Sequence, residues 1–303
     1  MQGKVVIFGG TGAIGSAVGR AMKAGGWEVV VVSRNPEKVS IPFADKVIAL
    51  TKTREIINEI SESRAVLNFS GAPINSTGKL AVIEDSRIKF TSNVVSMIRQ
   101  ASPKPAVFIN GSAIGYYGAE ESNDVKFTED SSAGKDYWGD LVSKWEEEAV
   151  KAEQLGVRVV NMRTSLFLDS DSGTLKEIIP LFRKHMGGYI KPGRQWVSWI
   201  HRDDEVALIL ECIRNEQVRG PINASSPNPV RMKEFTRAIG KRMGRSASLP
   251  IPSLAVKMKF GKAAPLLING AAAMPEKAES MGFKFRYPMI DMALSSLISN
   301  RKD

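Results

Sequence analysis

The chain has 303 residues, of which 43% are hydrophobic and 24% charged, with 42 basic against 32 acidic residues and a net charge of +10. This ordinary globular balance excludes disordered, collagen-like and coiled-coil chains, and no stretch approaches the ~18 unbroken apolar residues of a membrane span. One cysteine, Cys212, and two histidines, His185 and His201, exclude a disulfide framework and give no reason to expect a metal site.

Residues 4–8 form a short apolar run, too short for a signal peptide, so a cytoplasmic setting is expected. The run ends in Gly9-Gly10-Thr11-Gly12-Ala13-Ile14-Gly15, and small and apolar residues then recur at helical spacing over 13–24. Glycines spaced G-x-x-G-x-x-G between a strand and a helix meet three needs. One allows a tight turn, one lets the backbone approach a pyrophosphate, and one lets the helix pack closely on the strand. The unpaired N–H groups of the helix start then face the phosphates. Gly9, Thr11, Gly12, Ala13, Ile14 and Gly15 are therefore the expected cofactor cradle.

The segment 28–32 holds four consecutive valines, the pattern of a strand buried on both faces. Ser33-Arg34 follows it, and no acid comes before Glu37. An NAD site places a carboxylate here for the ribose 2′-hydroxyl. A hydroxyl and a guanidinium suit a 2′-phosphate instead. NADP(H) is therefore the expected cofactor.

Further short strands are predicted at 46–50, 65–69 and 105–110, with helices at 53–61 and 80–101. In 137–155, Trp138, Leu141, Val142, Trp145, Ala149 and Ala152 form one apolar helical stripe. A strand follows at 157–162, and helices are expected at 203–215, 231–243 and 253–260. Strands alternating with helices predict an α/β fold, a Rossmann-type doubly wound parallel sheet. Its dinucleotide domain is expected over 1–165, with 203–225 returning to it, and 166–303 forms mainly a smaller C-terminal substrate lobe.

Charge is uneven. Residues 1–150 carry 17 basic and 18 acidic residues, and 151–303 carry 25 and 14. Between Arg231 and Lys262 there are nine basic residues and one acid, Glu234. A solvated helix face explains such a run, and an anionic small-molecule substrate also fits it. Arg237, Lys241 and Arg242 fall on one predicted basic helix face. No nucleic-acid motif accompanies it, so no nucleic-acid partner and no membrane partner is expected. Homo-oligomerisation stays open.

Together with Asn68-Phe-Ser70-Gly71-Ala and Gly111-Ser112-Ala-Ile-Gly-Tyr116-Tyr-Gly118, the glycine loop resembles the extended short-chain dehydrogenase/reductases. The stretch Gly193-Arg-Gln-Trp-Val-Ser-Trp-Ile-His201-Arg-Asp203-Asp204 narrows the resemblance to their atypical, epimerase-like branch, part of the NAD-dependent epimerase/dehydratase superfamily. So does Met281-Gly282-Phe-Lys-Phe285-Arg-Tyr-Pro288. The resemblance implies an oxidoreductase or epimerase acting on a carbonyl or hydroxyl compound. Ser112 would bind the reacting oxygen, and Asn68, Ser70 and Gly71 would lie along the cofactor. Arg87 stands at the place of a helper asparagine and is expected to bind the cofactor, as a cation that could hold a phosphate or carboxylate, with a helix-surface ion pair as the alternative. Arg194, Gln195, Trp196 and His201 fall in the substrate lid.

The resemblance also implies a tyrosine with lysine four residues later, because nearby positive charge favours the phenolate. No tyrosine here has that lysine: Tyr116, Tyr117, Tyr137, Tyr189 and Tyr287 are followed at that spacing by Glu120, Glu121, Leu141, Gly193 and Asp291. Aligned on Trp145-Glu146, Trp138 and Val142 stand near the two positions. Tyr116 and Tyr137 are left as proton donors, with water as the alternative. The different class of reading is a non-catalytic NADPH-binding sensor or scaffold.

Overall fold

The structure, a computed structural model, describes residues 3–74, 80–119 and 124–298. Contacts divide the chain into two compact units. The first comprises residues 1–112, 141–162 and 206–221, and the second 113–140, 163–205 and 222–303.

A seven-stranded sheet is built from β1 (Lys4–Phe8), β2 (Glu28–Ser33), β3 (Lys46–Ala49), β4 (Ala65–Asn68), β5 (Val107–Ala113), β6 (Arg158–Thr164) and β7 (Gly220–Ala224), in the order β7-β6-β5-β4-β1-β2-β3. The pairings β1–β2, β2–β3, β1–β4 and β4–β5 are parallel, with Val6 beside Val30 and Val66, and Val66 beside Phe108. The order reverses between β1 and β4, the switch point at which open α/β sheets bind ligands beyond their carboxyl ends.

Alternation along the strands explains the continuous apolar runs. Val6, Phe8, Val30, Val32, Val66 and Phe108 enter one core with Ile56 and Ile60 of α2 (Thr53–Ser61) and Val94 and Ile98 of α3 (Leu80–Gln100). Val5, Ile7, Val29 and Val31 on the other face are also fully buried, as are Val18 and Met22 of α1 (Ala13–Ala24). α3 is not a plain α-helix: residues Asp85–Lys89 make a π turn, an irregularity that often marks a functional position. α4 (Tyr137–Val150) and α5 (Arg202–Arg214) complete the helices used below.

The second unit has its own core, in which Leu175, Phe182, Trp199, Phe235, Ile239 and Leu294 meet. Its strands pair in twos, such as Trp199–His201 with Leu166–Leu168 and Gly188–Ile190 with Leu249–Ile251. Among the described residues no helix is long and apolar enough to cross a membrane.

Candidate functional site

The glycine loop takes the shape its residue types require. Gly9 has φ +79°, and a Cβ there would lie 2.6 Å from the Phe69 carbonyl carbon and 2.7 Å from the Ser70 nitrogen. Gly15 packs so closely that a Cβ would collide with the Gly9 carbonyl oxygen. The turn is closed by the Gly12 N–H donating to Gly9 O at 2.9 Å. Gly12 caps α1, whose first turn carries no acid, so its positive end is left for an external anion. Thr11 is exposed, while Ala13 and Ile14 are half-buried at the helix start.

Beside the loop lies a cavity of about 650 Å³, lined by Gly10, Thr11, Ser16 and Arg20 on one side and residues 39–43 on the other. Arg20 brings a second cation to this end of the unit. Its one-turn offset from Ser16 along α1 is the signal the sequence offered for it. Ser33 is half-buried at the end of β2, with its Oγ 3.3 Å from the Asn35 N–H, and Arg34 is exposed.

The residues after β4 are held from beneath. Asn68 is fully buried and donates to Thr91 Oγ1 (3.0 Å) and Asn110 Oδ1 (3.1 Å), while its own Oδ1 accepts from the Ser70 N–H (3.3 Å). Asn110 donates on to Asn161 (3.1 Å), and Trp145 Nε1 donates to Thr91 (2.9 Å). These side chains satisfy one another and fix the turn at Ser70 and Gly71. Arg87 sits in the π turn, where both its terminal nitrogens donate to the Ala72 carbonyl at 3.2 Å and one also reaches Ile83 O at 3.3 Å. Its guanidinium lies 5.4 Å from the Trp145 ring centre. In this arrangement Arg87 clamps the Gly71–Ala72 backbone.

Ser112, at the carboxyl end of β5, is buried and donates to Glu146 Oε1 of α4 at 2.6 Å. Glu146 is itself 7% exposed. In the sequence it stands out only as the neighbour of Trp145. Its signal was an acid one turn after Val142 on a buried helix face.

Within the second unit, Tyr116 lies under the Arg163 guanidinium, 3.4 Å from carbon to ring centre. Arg163 is 2% exposed and also donates to the Tyr117 hydroxyl at 3.2 Å. Tyr117 is buried, its hydroxyl 2.7 Å from Asn223 Oδ1, and burial pushes its pKa up to about 12. Tyr137 opens α4 and meets Trp138 edge-on.

The segment 193–201 is tied into the second unit around it. Gln195 is buried, accepting from the Gly193 N–H (2.8 Å) and donating to Ile190 O (3.0 Å). Trp196 stacks under Arg231 at 3.5 Å, and Arg194 is exposed. His201 accepts from the Asp203 N–H at Nδ1 (3.0 Å), so its Nε2–H donates to Ser296 Oγ (2.8 Å). Burial holds its pKa down at about 4. Its ring also lies on Tyr287, with centres 3.8 Å apart.

With this geometry in view, residues 5–224 match the NAD dependent epimerase/dehydratase family. The chain belongs to that family. Residues 251–297 match a domain of unknown function, DUF1731. The chain is 35% identical over 305 residues to the epimerase family protein SDR39U1 homolog, chloroplastic, of Arabidopsis thaliana, covering 98% of this chain and 87% of that protein. It is 33% identical over 302 residues to the epimerase family protein YfhF of Bacillus subtilis (strain 168), covering 98% and 99%. A crystal structure of human epimerase family protein SDR39U1 (isoform 2) with NADPH aligns with a TM-score of 0.85 at 27% identity, over 97% of this chain and 98% of that one. The family and the α/β architecture expected from sequence are thus both found.

Proposed function

We propose that this family member binds NADP(H) at the glycine loop and acts as an oxidoreductase or epimerase on a small carbonyl or hydroxyl compound, with an anionic group on the substrate. The observation that carries the reading is the cradle itself. At Gly9 and Gly15 any side chain would fill the path of the backbone, and α1 starts there with no acid in its first turn. Those features fit a pyrophosphate. Ser33 and Arg34 would hold the 2′-phosphate, and Arg20 adds positive charge at the neighbouring cavity. The NADPH in the human structure supports the same choice for this chain.

When bound, the nicotinamide supplies hydride chemistry. The chain's own part is to orient and to manage protons. Asn68, through Ser70, and Arg87, through Ala72, hold the wall after β4 in place. Ser112 would bind the reacting oxygen. Tyr116 and Tyr137 are proposed proton donors, and Arg194, Gln195, Trp196 and His201 proposed substrate-lid residues, on the strength of their sequence positions. Gln195 and His201 would act there by shaping backbone, because their polar atoms are already engaged.

The test is cofactor titration of the wild type and of Arg34→Ala. The wild type is expected to bind NADPH more tightly than NADH. Arg34→Ala should weaken NADPH by about 10- to 100-fold, the loss of a charge-assisted pair, and leave NADH nearly unchanged. Equal loss for both cofactors would remove Arg34 from the 2′-phosphate.

A further inference from the structure

The superfamily's tyrosine and lysine have no counterpart at their spacing in this chain, yet the buried end of β5 is not without a titratable group. Ser112 Oγ and Glu146 Oε1 are 2.6 Å apart, with both residues less than one-tenth exposed. An ionised carboxylate only accepts, so the Ser112 hydroxyl proton points to Glu146 and its lone pairs point away from it. A serine held this way accepts a hydrogen bond from a ligand hydroxyl. Val142, one turn earlier on the same face of α4, is apolar and buried. At this strand end, therefore, the side chain that reaches the serine is a carboxyl group, where the superfamily's lysine would bring a cation.

We propose that Glu146 is the proton acceptor of this site, reached through Ser112, and that the pair takes hydroxyl compounds as hydride donors. The proposal rests on the NADP(H) reading above. In the oxidising direction the substrate O–H bond breaks and its proton forms a bond to Ser112 Oγ. The former Ser112 proton bonds to Glu146 Oε1, leaving a neutral carboxyl. The electron pair and hydrogen of the adjacent C–H bond go to the co-reactant, an oxidised nicotinamide dinucleotide. Reduction of a carbonyl runs the same transfers backwards. Glu146 is a positioning and proton-holding residue that acts through Ser112. In its carboxylate form it would also favour the positively charged oxidised nicotinamide over the reduced one.

That charge preference is measurable without a substrate. The ratio of NADP⁺ to NADPH dissociation constants is read in the full-length wild type, in Glu146→Gln, which keeps an acceptor for Ser112, and in Glu146→Asp, which keeps the charge. The 2′-phosphate is common to both cofactors and cancels in the ratio. Glu146→Gln should shift the ratio about tenfold against NADP⁺, the size of one unit charge at ~10 Å in a partly screened site. Glu146→Asp should stay close to wild type. The infrared difference between the two loaded forms should contain a carboxylate band that Glu146→Gln lacks. If the Gln variant does not fold, Glu146→Leu serves as the neutral replacement. An unchanged ratio and no Glu146 band, with both cofactors still bound, would overturn the relay and leave the NADP(H) reading standing. Failure of the wild type to bind either cofactor would remove that reading and the relay with it.

Discussion

Single residues at the cofactor end are constrained by backbone, and the consequence is testable at Gly9. Its positive φ and the 2.6 Å approach to Phe69 leave a methyl no place to go. Gly9→Ala should destabilise the protein by about 2 kcal/mol or more, from strained dihedrals alone, and should abolish dinucleotide binding. Thermal unfolding and cofactor titration check the two effects separately. Sequence spacing was enough to find this loop, because glycine's role there is local. Arg87 shows the opposite case. The sequence placed a cation near the cofactor end of the sheet but could not show that a π turn in α3 aims it back at the Ala72 carbonyl. Glu146 was hidden for a similar reason: a buried acid declares itself only when its partner, 34 residues away in sequence, is seen.

Helices and strands were legible where burial dictates periodicity. The expected helices at 53–61 and 253–260 coincide with those observed, and the valine run is the strand β2. Less legible was what terminates an element. Arg158, at the start of β6, donates to the carbonyls of Cys212 (2.8 Å) and Ile213 (3.2 Å) in the last turn of α5, and to Val218 O (2.6 Å) just beyond it. The last carbonyls of a helix generally lack intrahelical partners, and Arg158 supplies donors there. Arg158→Met should cost about 2–3 kcal/mol by stranding them, and amide exchange should quicken in the last turn of α5 before the rest of the helix. The basic face read at 231–243 was only part of a pattern in the same way. Arg242 reaches Ile298 O (2.8 Å) and Ser295 O (3.2 Å) at the end of the helix Ile290–Leu297, so one of its three charges has an internal task.

Over the whole molecule, two buried groups of the second unit set opposing pH slopes. His201 falls from 6.5 to about 4 on burial, so it favours the folded state fully above 6.5 and loses that contribution as pH drops towards 4. Glu205 is fully buried, and burial raises it from 4.5 to about 8. Its Oε1 accepts from Thr164 Oγ1 at 2.6 Å, and Oε2 has no partner among the described residues. The folded state keeps its proton where the unfolded chain has lost it, so stability drains away as pH rises from 4.5 to 8. Between 4.5 and 6.5 the two contributions cancel. From pH 6.5 to 8 Glu205 alone acts, at about 1.4 kcal/mol per pH unit. Urea unfolding should show a loss of about 2 kcal/mol across that window, and Glu205→Gln should flatten it. Alternation of strands and helices made six of the seven strands of the sheet foreseeable, while the end strand β7 carried no strand prediction of its own. The site was foreseeable only where it depends on neighbours in sequence. The sheet also has a history during synthesis. β5 is complete in the growing chain once residue 113 is made, but β6, its neighbour in the sheet, begins at residue 158, and β7 is finished only at residue 224. For that interval the nascent chain carries a bare strand edge of Val107, Phe108 and Ile109. Such an edge is a template for pairing with any other chain, and the growing sheet keeps it until β6 is added.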